Sequence, residues 1–485
     1  MISHREPCRV LLVGFEDQDN LGLRYLSSRL KQGGHQTRFV TISSGEDALL
    51  DNAADFLPHI VGFSLIFQYL VPQYAELIAE LRRAGADCHI TIGGHYASFE
   101  PEIVLTEMPG LDSVVRFEGE DTLFELAERI RNGDDWRDLD GIAWRSGKRT
   151  VLNPLRPGRQ DLDELPWPDR DNIPYKSQSL PTASVLGGRG CPWNCSFCSI
   201  VTFYEANGTK GRRRRDPFKI ADELEHLYRD CGVRVILWQD DDFLAGGRAA
   251  ESWAHAISDE VIARGLHRDM RWKISCRSDE VTHDTLQPLI EAGLTHVYMG
   301  VESGDPNNLL NLNKHLGPEV HLKAGDVLRD LGLSFDFGFM LLEPWSTIAT
   351  VRNNIAFLRE FAGDGASVVN FCRTLPYAGT PIAKRLLEEG RLTLRDFDAD
   401  YSFLDPRLDV FYDWALPAFA QRNNGLNGTA SLLRRVLFEA SLSLPNRPAD
   451  PEFAPSAKLL ASLSNQVLLD TTEAALDHIE ATADL

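Results

Sequence analysis

The chain has 485 residues, 43% hydrophobic and 25% charged, with a formal net charge of −21. That length is too great for one core and points to two or three domains of an ordinary globular protein, while the acidic balance argues against bulk affinity for nucleic acid or an anionic membrane. No run of about 18 apolar residues occurs, and the opening MISHREPCRV lacks a signal-peptide core, so a cytoplasmic protein without a membrane span is expected.

Residues 8–131 alternate short runs rich in Val and Ile with amphipathic ones. Residues 8–14, 37–41, 59–65, 88–94 and 112–117 read as strands, with helical stretches such as 21–34 and 71–85 between them. This alternation implies a parallel sheet covered on both faces, an α/β Rossmann-like domain over residues 1–150. Ligands of such sheets sit at the carboxyl ends of the strands. There the sequence places GFEDQDNLG, GFSLIFQY, GGHYASFEPE and RFEGED. A hairpin over 141–152, turning at Ser146–Gly147, follows. Residues 151–181 are heavy in Pro and Asp and without periodicity, which marks an extended linker.

From residue 182 the alternation resumes. Strand candidates are 182–188, 233–239, 271–276, 295–301, 334–341 and 366–373, six in all. A helix capped by Asp216–Pro217 puts Ile220, Leu224, Leu227 and Cys231 on one face. Six strand–helix units are two short of a closed eightfold barrel, so residues 182–385 are expected to form an open, partial (βα)6 barrel. The basic run KGRRRRDPF, Lys210–Phe218, is either a loop pairing with acidic surface or a clamp for a phosphate or carboxylate. Residues 386–485 lose the strand signal and read as a helical C-terminal domain, with helical period over 429–444 and 456–485.

Five of the eight cysteines are scattered, and a disulfide framework is not expected in such a chain. The other three, Cys191, Cys195 and Cys198, share the loop GGRGCPWNCSFCSI after the first strand of the second domain. Three thiolates leave a cubane iron–sulfur cluster one protein ligand short, and the open iron can take a small molecule. A zinc ribbon needs a second cysteine pair, which the rest of the chain lacks. A redox dithiol does not need the third cysteine, and three buried structural thiols are the plain alternative.

Cys191-x-x-x-Cys195-x-x-Cys198, with Phe197 before the last cysteine, resembles the radical S-adenosylmethionine family. The resemblance implies a 4Fe–4S cluster whose open iron chelates the methionine part of S-adenosylmethionine. Reductive cleavage of the sulfonium then yields a 5′-deoxyadenosyl radical, with an external electron donor of flavodoxin or ferredoxin type. Asp240 and Asp241 in QDDDF stand where the family places groups for the nucleotide's amino group, and Arg277 where it could reach the carboxylate. Glu302, with Ser303 beside it, matches the segment that takes the ribose hydroxyls. Residues 375–382, with Pro376, match the segment lying against adenine. Singly, Asp240–Asp242 reads equally well as a solvated strand end and Glu302 as a helix cap. One departure is Glu343–Pro344–Trp345, where many relatives have a Gly-Leu-Pro-Gly turn; it is expected to shape a different substrate wall.

The first domain resembles the cobalamin-binding domain of a large subgroup. The matching residues are Asn20-Leu21-Gly22, Gly62-Phe63-Ser64, Gly93-Gly94-His95 and Glu118-Gly119-Glu120. Glycines let backbone approach a corrinoid tail, and Ser64 can donate to it. The Asp-x-His-x-x-Gly motif that supplies a histidine to cobalt is missing. The lower face of cobalt is therefore assigned to Gln68 and Tyr69, and His95 to a loop or tail contact. Cobalamin beside a radical generator implies C-methylation of a small molecule. A radical oxidative cyclase or ring-rearranging enzyme is the alternative. A non-catalytic corrinoid or iron–sulfur carrier, which needs no ribose or carboxylate contacts, and a transfer-RNA methylthiotransferase, which needs three further N-terminal cysteines, fit less well.

Overall fold

The computed structural model describes residues 6–16, 19–173, 180–423, 425, 427–444 and 452–483. Part of the linker and of the loop after the first strand lie outside the described residues.

Arg9–Gly14 (β1), Gln36–Thr41 (β2), Ile60–Ser64 (β3), His89–Gly93 (β4), Ser113–Val115 (β5), Ile142–Ser146 (β6) and Arg149–Leu152 (β7) form one sheet in the order β2-β1-β3-β4-β5-β6-β7. The first five strands are parallel, and the hairpin β6–β7 extends them antiparallel. β1 is buried on both faces, as a parallel strand under two helical layers must be. Val10 and Leu12 pack with Leu23, Leu30, Leu123 and Leu126 on one face. Leu11 and Val13 pack with Tyr74, Leu77 and Ile78 on the other. Asn20 starts the helix Leu21–Gln32 by accepting from the Leu23 N–H at 3.2 Å.

The linker is extended but tied down. Asp169 takes Lys31 at 2.7 Å and the Ser27 hydroxyl at 2.5 Å, while Arg170 reaches Glu223 in the second domain.

Thr182–Val185 (β8), Val235–Trp238 (β9), Arg271–Arg277 (β10), Leu294–Glu302 (β11), Ser334–Leu342 (β12) and Cys372–Arg373 (β13) form the second sheet, six parallel strands in chain order. This is the open half-barrel the alternation implied. The last strand is shorter than its apolar run. Asn465 accepts from the Val369 N–H at 2.9 Å and donates to the Ser367 carbonyl at 2.9 Å, so side chains of later helices satisfy backbone that a ladder would otherwise take.

The C-terminal region is mainly the helices Pro406–Asn423, Thr429–Ser441 and Phe453–Ala483. It also holds an antiparallel ribbon, Leu392–Arg395 with Asp398–Tyr401, where no strand was expected. Its two turn residues, Asp396 and Phe397, take φ of 49° and 68° without the Asn-Gly or Gly that usually announces such a turn. Phe438 of the second helix and Leu442 just beyond its end pack against Val235 and Leu237, closing the floor of the half-barrel. Among the described residues, no helix is long and apolar enough to cross a membrane.

Candidate active site at the domain seam

The cysteine loop leaves β8 through a short ribbon, Gly188–Arg189 against Arg213–Arg214. Gly190 has a φ of 88°, and a Cβ there would lie 2.3 Å from the Gly211 carbonyl, so only glycine fits. The Gly187 and Gly190 N–H groups donate to Asp240 and Asp241, each at 2.9 Å. Ser196 donates to the Leu312 carbonyl through its backbone at 2.9 Å, and its own carbonyl accepts from the Ile382 N–H at 2.9 Å. The Arg277 guanidinium lies 4.0 Å from the Trp193 ring centre. The loop is thus fastened from the second, third, fourth and sixth strands of the half-barrel.

Cys191, Cys195 and Cys198 are free, half-buried thiols. Burial pushes Cys191 up to about 12 and Cys198 up to about 11. Cys195 is also raised by burial, although Lys314 and Arg277 pull it down. Unligated, all three hold their protons near neutrality, so binding iron must displace them. Among the described residues, no three His, Cys, Asp or Glu side chains are gathered to hold a metal ion. Three sulfur donors spread over one loop fit an iron–sulfur cluster with an open iron better than a single ion.

Around the loop stand the ends of the strands. Glu302 closes β11 at a φ of 69°, next to a register shift, and its Oε1 lies 3.3 Å from Lys314 Nζ. A non-glycine residue held there carries backbone strain of the kind that gathers at functional sites. Arg277 donates to Asp279 at 3.0 Å and to the Lys314 carbonyl at 2.9 Å. Asp241 is open to the seam but ringed by protein, and loss of bulk water raises its carboxyl to about 6. Beneath it, burial and the Asp242 charge push Glu280 up to about 9.

Two cavities lie between the domains. The first, about 330 Å³, is lined by Asn20, Leu21, Gly22, Ser64, Gly93, Gly94, Glu118 and Gly119 from the first domain. Arg189, Phe203, Tyr204 and Asp241 close it from the second. The second cavity, about 310 Å³, is lined by Phe67, Gln68, Phe99, Phe197, Cys198 and Tyr377. Ile66 and His95 belong to both walls. Gly94 has a φ of 98°, and a Cβ there would sit 2.5 Å from the Leu65 carbonyl. A cradle lined by Gly22, Gly62, Gly93, Gly94 and Gly119 fits a ligand that must approach backbone closely, as a corrinoid does. Glu118 is not free for a ligand, since Arg189 holds it at 2.7 Å and Arg213 at 2.9 Å.

Several expected residues are placed otherwise. Tyr69 lines neither cavity; it is 47% exposed and stacks on Phe67. Gln68 does line the second, but its Oε1 accepts from the Ala378 N–H at 3.1 Å, joining the two domains. Asp240 is buried in an ion pair with Arg212, leaving Asp241 as the open member of QDDDF. Ser303 is fully buried and donates to Asn354 at 2.8 Å, on the side of the strand opposite Glu302. Pro376 is buried, while its neighbours Tyr377 and Ala378 line the second cavity. Glu343 is buried in its own turn, accepting from Asn311 and Trp345, and Trp345 lies beneath Arg385, so this turn walls neither cavity. The basic run is no anion clamp. Arg212 pairs with Asp240, Arg213 with Glu118 and Arg215 with Glu223, while Arg214 donates to the Ala245 carbonyl. Arg189, Phe203 and Lys314 went unnoticed in the sequence, although Arg189 lies in the cysteine loop GGRGCPWNCSFCSI and Lys314 in the segment that carries Glu302.

Fold and site define a protein with a B12-type domain set on the mouth of a half-barrel. Residues 10–127 match the family model of the B12 binding domain, and residues 185–353 that of the radical SAM superfamily. An uncharacterised methyltransferase of Pyrococcus horikoshii is 27% identical over 394 residues, 80% of this chain and 82% of that one. The hopanoid C-3 methylase of Methylococcus capsulatus is 26% identical over 406 residues, 80% and 73%. The anaerobic magnesium-protoporphyrin IX monomethyl ester cyclase of Rubrivivax gelatinosus is 28% identical over 401 residues, 79% and 68%. In fold, the chain matches the cobalamin-dependent S-adenosylmethionine radical enzyme OxsB, solved with aqua-cobalamin and S-adenosylmethionine bound. The TM-score is 0.71 at 16% identity, over 99% of this chain and 82% of that one. The chain belongs to the cobalamin-binding radical S-adenosylmethionine enzymes. Its cofactors are cobalamin, S-adenosylmethionine and a 4Fe–4S cluster.

Proposed function

We propose that the protein methylates an unactivated carbon of a small molecule. The observation that carries this reading is the shared wall of the two cavities: Ile66 and His95 join the glycine-lined cradle to the space beside Cys198. A methyl carrier in the one and a radical source in the other then face a common volume.

In this reading Cys191, Cys195 and Cys198 hold the cluster, while Asp241, Arg277 and Glu302 orient the nucleotide. Asn20, Leu21, Ser64, Gly93, Gly94 and Gly119 seat the corrinoid and its tail. When bound, these groups supply a primary carbon radical and a methyl donor. The chain's own part is to fix orientation and to exclude water, and the ring contacts His95–Phe203, at 4.2 Å, and Phe117–Phe203, at 5.1 Å, close the seam between the domains. Burial holds His95 down to about 4, so its imidazole meets the site neutral. An external one-electron donor of flavodoxin or ferredoxin type completes the proposal.

The test is an anaerobic assay with S-adenosylmethionine bearing a deuterated methyl group, run across candidate substrates. Label in the product supports methyl transfer. Unlabelled product accompanied by 5′-deoxyadenosine overturns it in favour of ring closure or rearrangement, the chemistry of the similar cyclase.

A further inference from the structure

Successive residues of a strand face opposite ways. In β10, β11 and β12 one set, including Trp272, Ile274, Val297, Met299, Phe335 and Phe337, is buried under the helices. The other set faces the hollow of the half-barrel and stands in level rows. Lys273 is beside His296, Ser275 beside Tyr298 and Asp336, and Arg277 beside Gly300 and Gly338. Lys273 therefore lies four residues below Arg277, about 13 Å at ~3.3 Å per residue.

The hollow is open between these levels. Tyr298 is 36% exposed in mid-strand. Above that level the Glu302 carboxylate and the Lys314 ammonium lie over Gly300, where a Cβ would sit 2.7 Å and 2.8 Å from them, and the Tyr298 hydroxyl lies over Gly338, 2.7 Å from where a Cβ would be. The floor is the helix Thr429–Ser441, whose Phe438 meets His296 edge-on at 5.1 Å and whose Arg434 Nε lies 3.8 Å from Asp336.

The charges on this floor do not balance. Asp336 is shared by Arg434 and by His296, whose Nε2 is 3.6 Å away. Burial pulls His296 below its ordinary value, so the ring adds no full charge near neutrality. Lys273 makes no ion pair or hydrogen bond among the described residues, and its ammonium lies only against the Tyr298 ring, 5.5 Å from its centre. Burial lowers its pKa, with Asp336 opposing and Arg434 adding to that effect. Two cations, Lys273 and Arg434, thus face one carboxylate in a chain whose net charge is −21. An ammonium withdrawn from water without a counter-ion is unfavourable unless a ligand supplies one.

We infer that the half-barrel takes a substrate bearing a carboxylate or phosphate, seated on Lys273 at the floor beside the Tyr298 hydroxyl, with the carbon to be modified directed up toward the cysteine loop. Lys273 is then a specificity-determining residue. This rests on the proposed function, in which the cysteine loop above the hollow supplies the radical.

Reductive methylation of the anaerobically reconstituted enzyme with 13C-formaldehyde puts an NMR probe on each lysine, and Lys273→Met identifies the Lys273 signal. Inorganic phosphate is titrated into one sample and acetate into another. The Lys273 midpoint is expected to rise by about one pH unit with at least one of them, while Lys384, whose side chain is 78% exposed, stays in place. A response to phosphate alone assigns a phosphoryl group, and a response to acetate alone a carboxylate. No response to either, or an equal response at Lys384, overturns the inference. Where Lys273→Met folds poorly, Lys273→Arg, which keeps the charge and carries no amine to methylate, identifies the signal instead. Failure to form 5′-deoxyadenosine would break the proposed function without moving the Lys273 signal, so the two failures are distinguishable.

Discussion

Gly62, Gly93, Gly94 and Gly119 line the N-terminal wall of the seam, whereas thiols and buried charges occupy the wall opposite. One wall makes room by omitting side chains; the other makes a reactive environment by packing protein around Cys191, Cys198, Asp241 and Glu280, which raises the pKa of each. The first suits a large cofactor that arrives complete. The second suits one assembled in place, with displacement of protons. The two walls are therefore expected to fail independently. Cys195→Ala should abolish 5′-deoxyadenosine formation and lower the iron content, yet leave the absorbance of bound cobalamin unchanged. Loss of both cofactors together in this variant would merge the two walls into one.

The converse variant is Gly94→Val. Its φ of 98° and the Leu65 carbonyl at 2.5 Å from any Cβ exclude a branched side chain without local rearrangement. Cobalamin affinity should fall about tenfold or more, ~1.4 kcal/mol. Iron content and the charge-transfer absorbance of the cluster should persist.

Beside the ring contacts and Gln68, buried charge pairs hold the walls together. Arg189, at the start of the cysteine loop, takes Glu118 at 2.7 Å and Glu120 at 2.6 Å, both from the first domain. All three are nearly excluded from water, so removing one partner leaves buried charge uncompensated. Arg189→Met should lower stability by about 3 kcal/mol, read from urea midpoints, and should separate the unfolding of the two domains.

The two walls were unequally legible in the sequence. The spacing of Cys191, Cys195 and Cys198 and the glycines at strand ends are local patterns, and the six strands announced themselves by alternation. Partners distant in the chain did not. Arg213 meets a carboxylate 95 residues away, so its run read as free positive charge. Glu302 and Ser303 are neighbours in sequence, but a bulge and a positive φ turn only Glu302 over Gly300 and Gly338, into the half-barrel hollow. The floor of the hollow is likewise contributed by a helix beyond residue 428, which composition alone could not connect to Asp336.

A smaller effect separates the buried carboxyls of the barrel from the first domain. Burial raises Glu280 from 4.5 to about 9, so the folded protein keeps a proton that the unfolded chain sheds. The stability this contributes is complete below the ordinary carboxylate range and is lost as pH rises toward about 9. Glu280→Gln removes that loss. Relative to the parent, it should gain stability between about pH 6 and about pH 9 in urea unfolding of the cofactor-free protein; an unchanged difference across that range would show the proton is not retained.

The smallest effects lie within one turn of the first wall, Gln68–Leu70. Gln68 and Tyr69 are adjacent, but the tight turn sends them apart: Gln68 to the Ala378 N–H at 3.1 Å, Tyr69 outward to 47% exposure. Gln68→Ala leaves that N–H without its partner beside the second cavity, at about 1 kcal/mol. It should weaken cobalamin retention modestly, because the segment 377–378 that shares the cavity loses its tether. Tyr69→Ala removes only a stacking contact with Phe67 at the surface, worth within about 0.5 kcal/mol. Titration of hydroxocobalamin into both variants orders them. Equal losses would return Tyr69 to the lower side of the corrinoid, and a loss at Gln68 alone keeps the seam, rather than the open surface, as the place where cobalt is held.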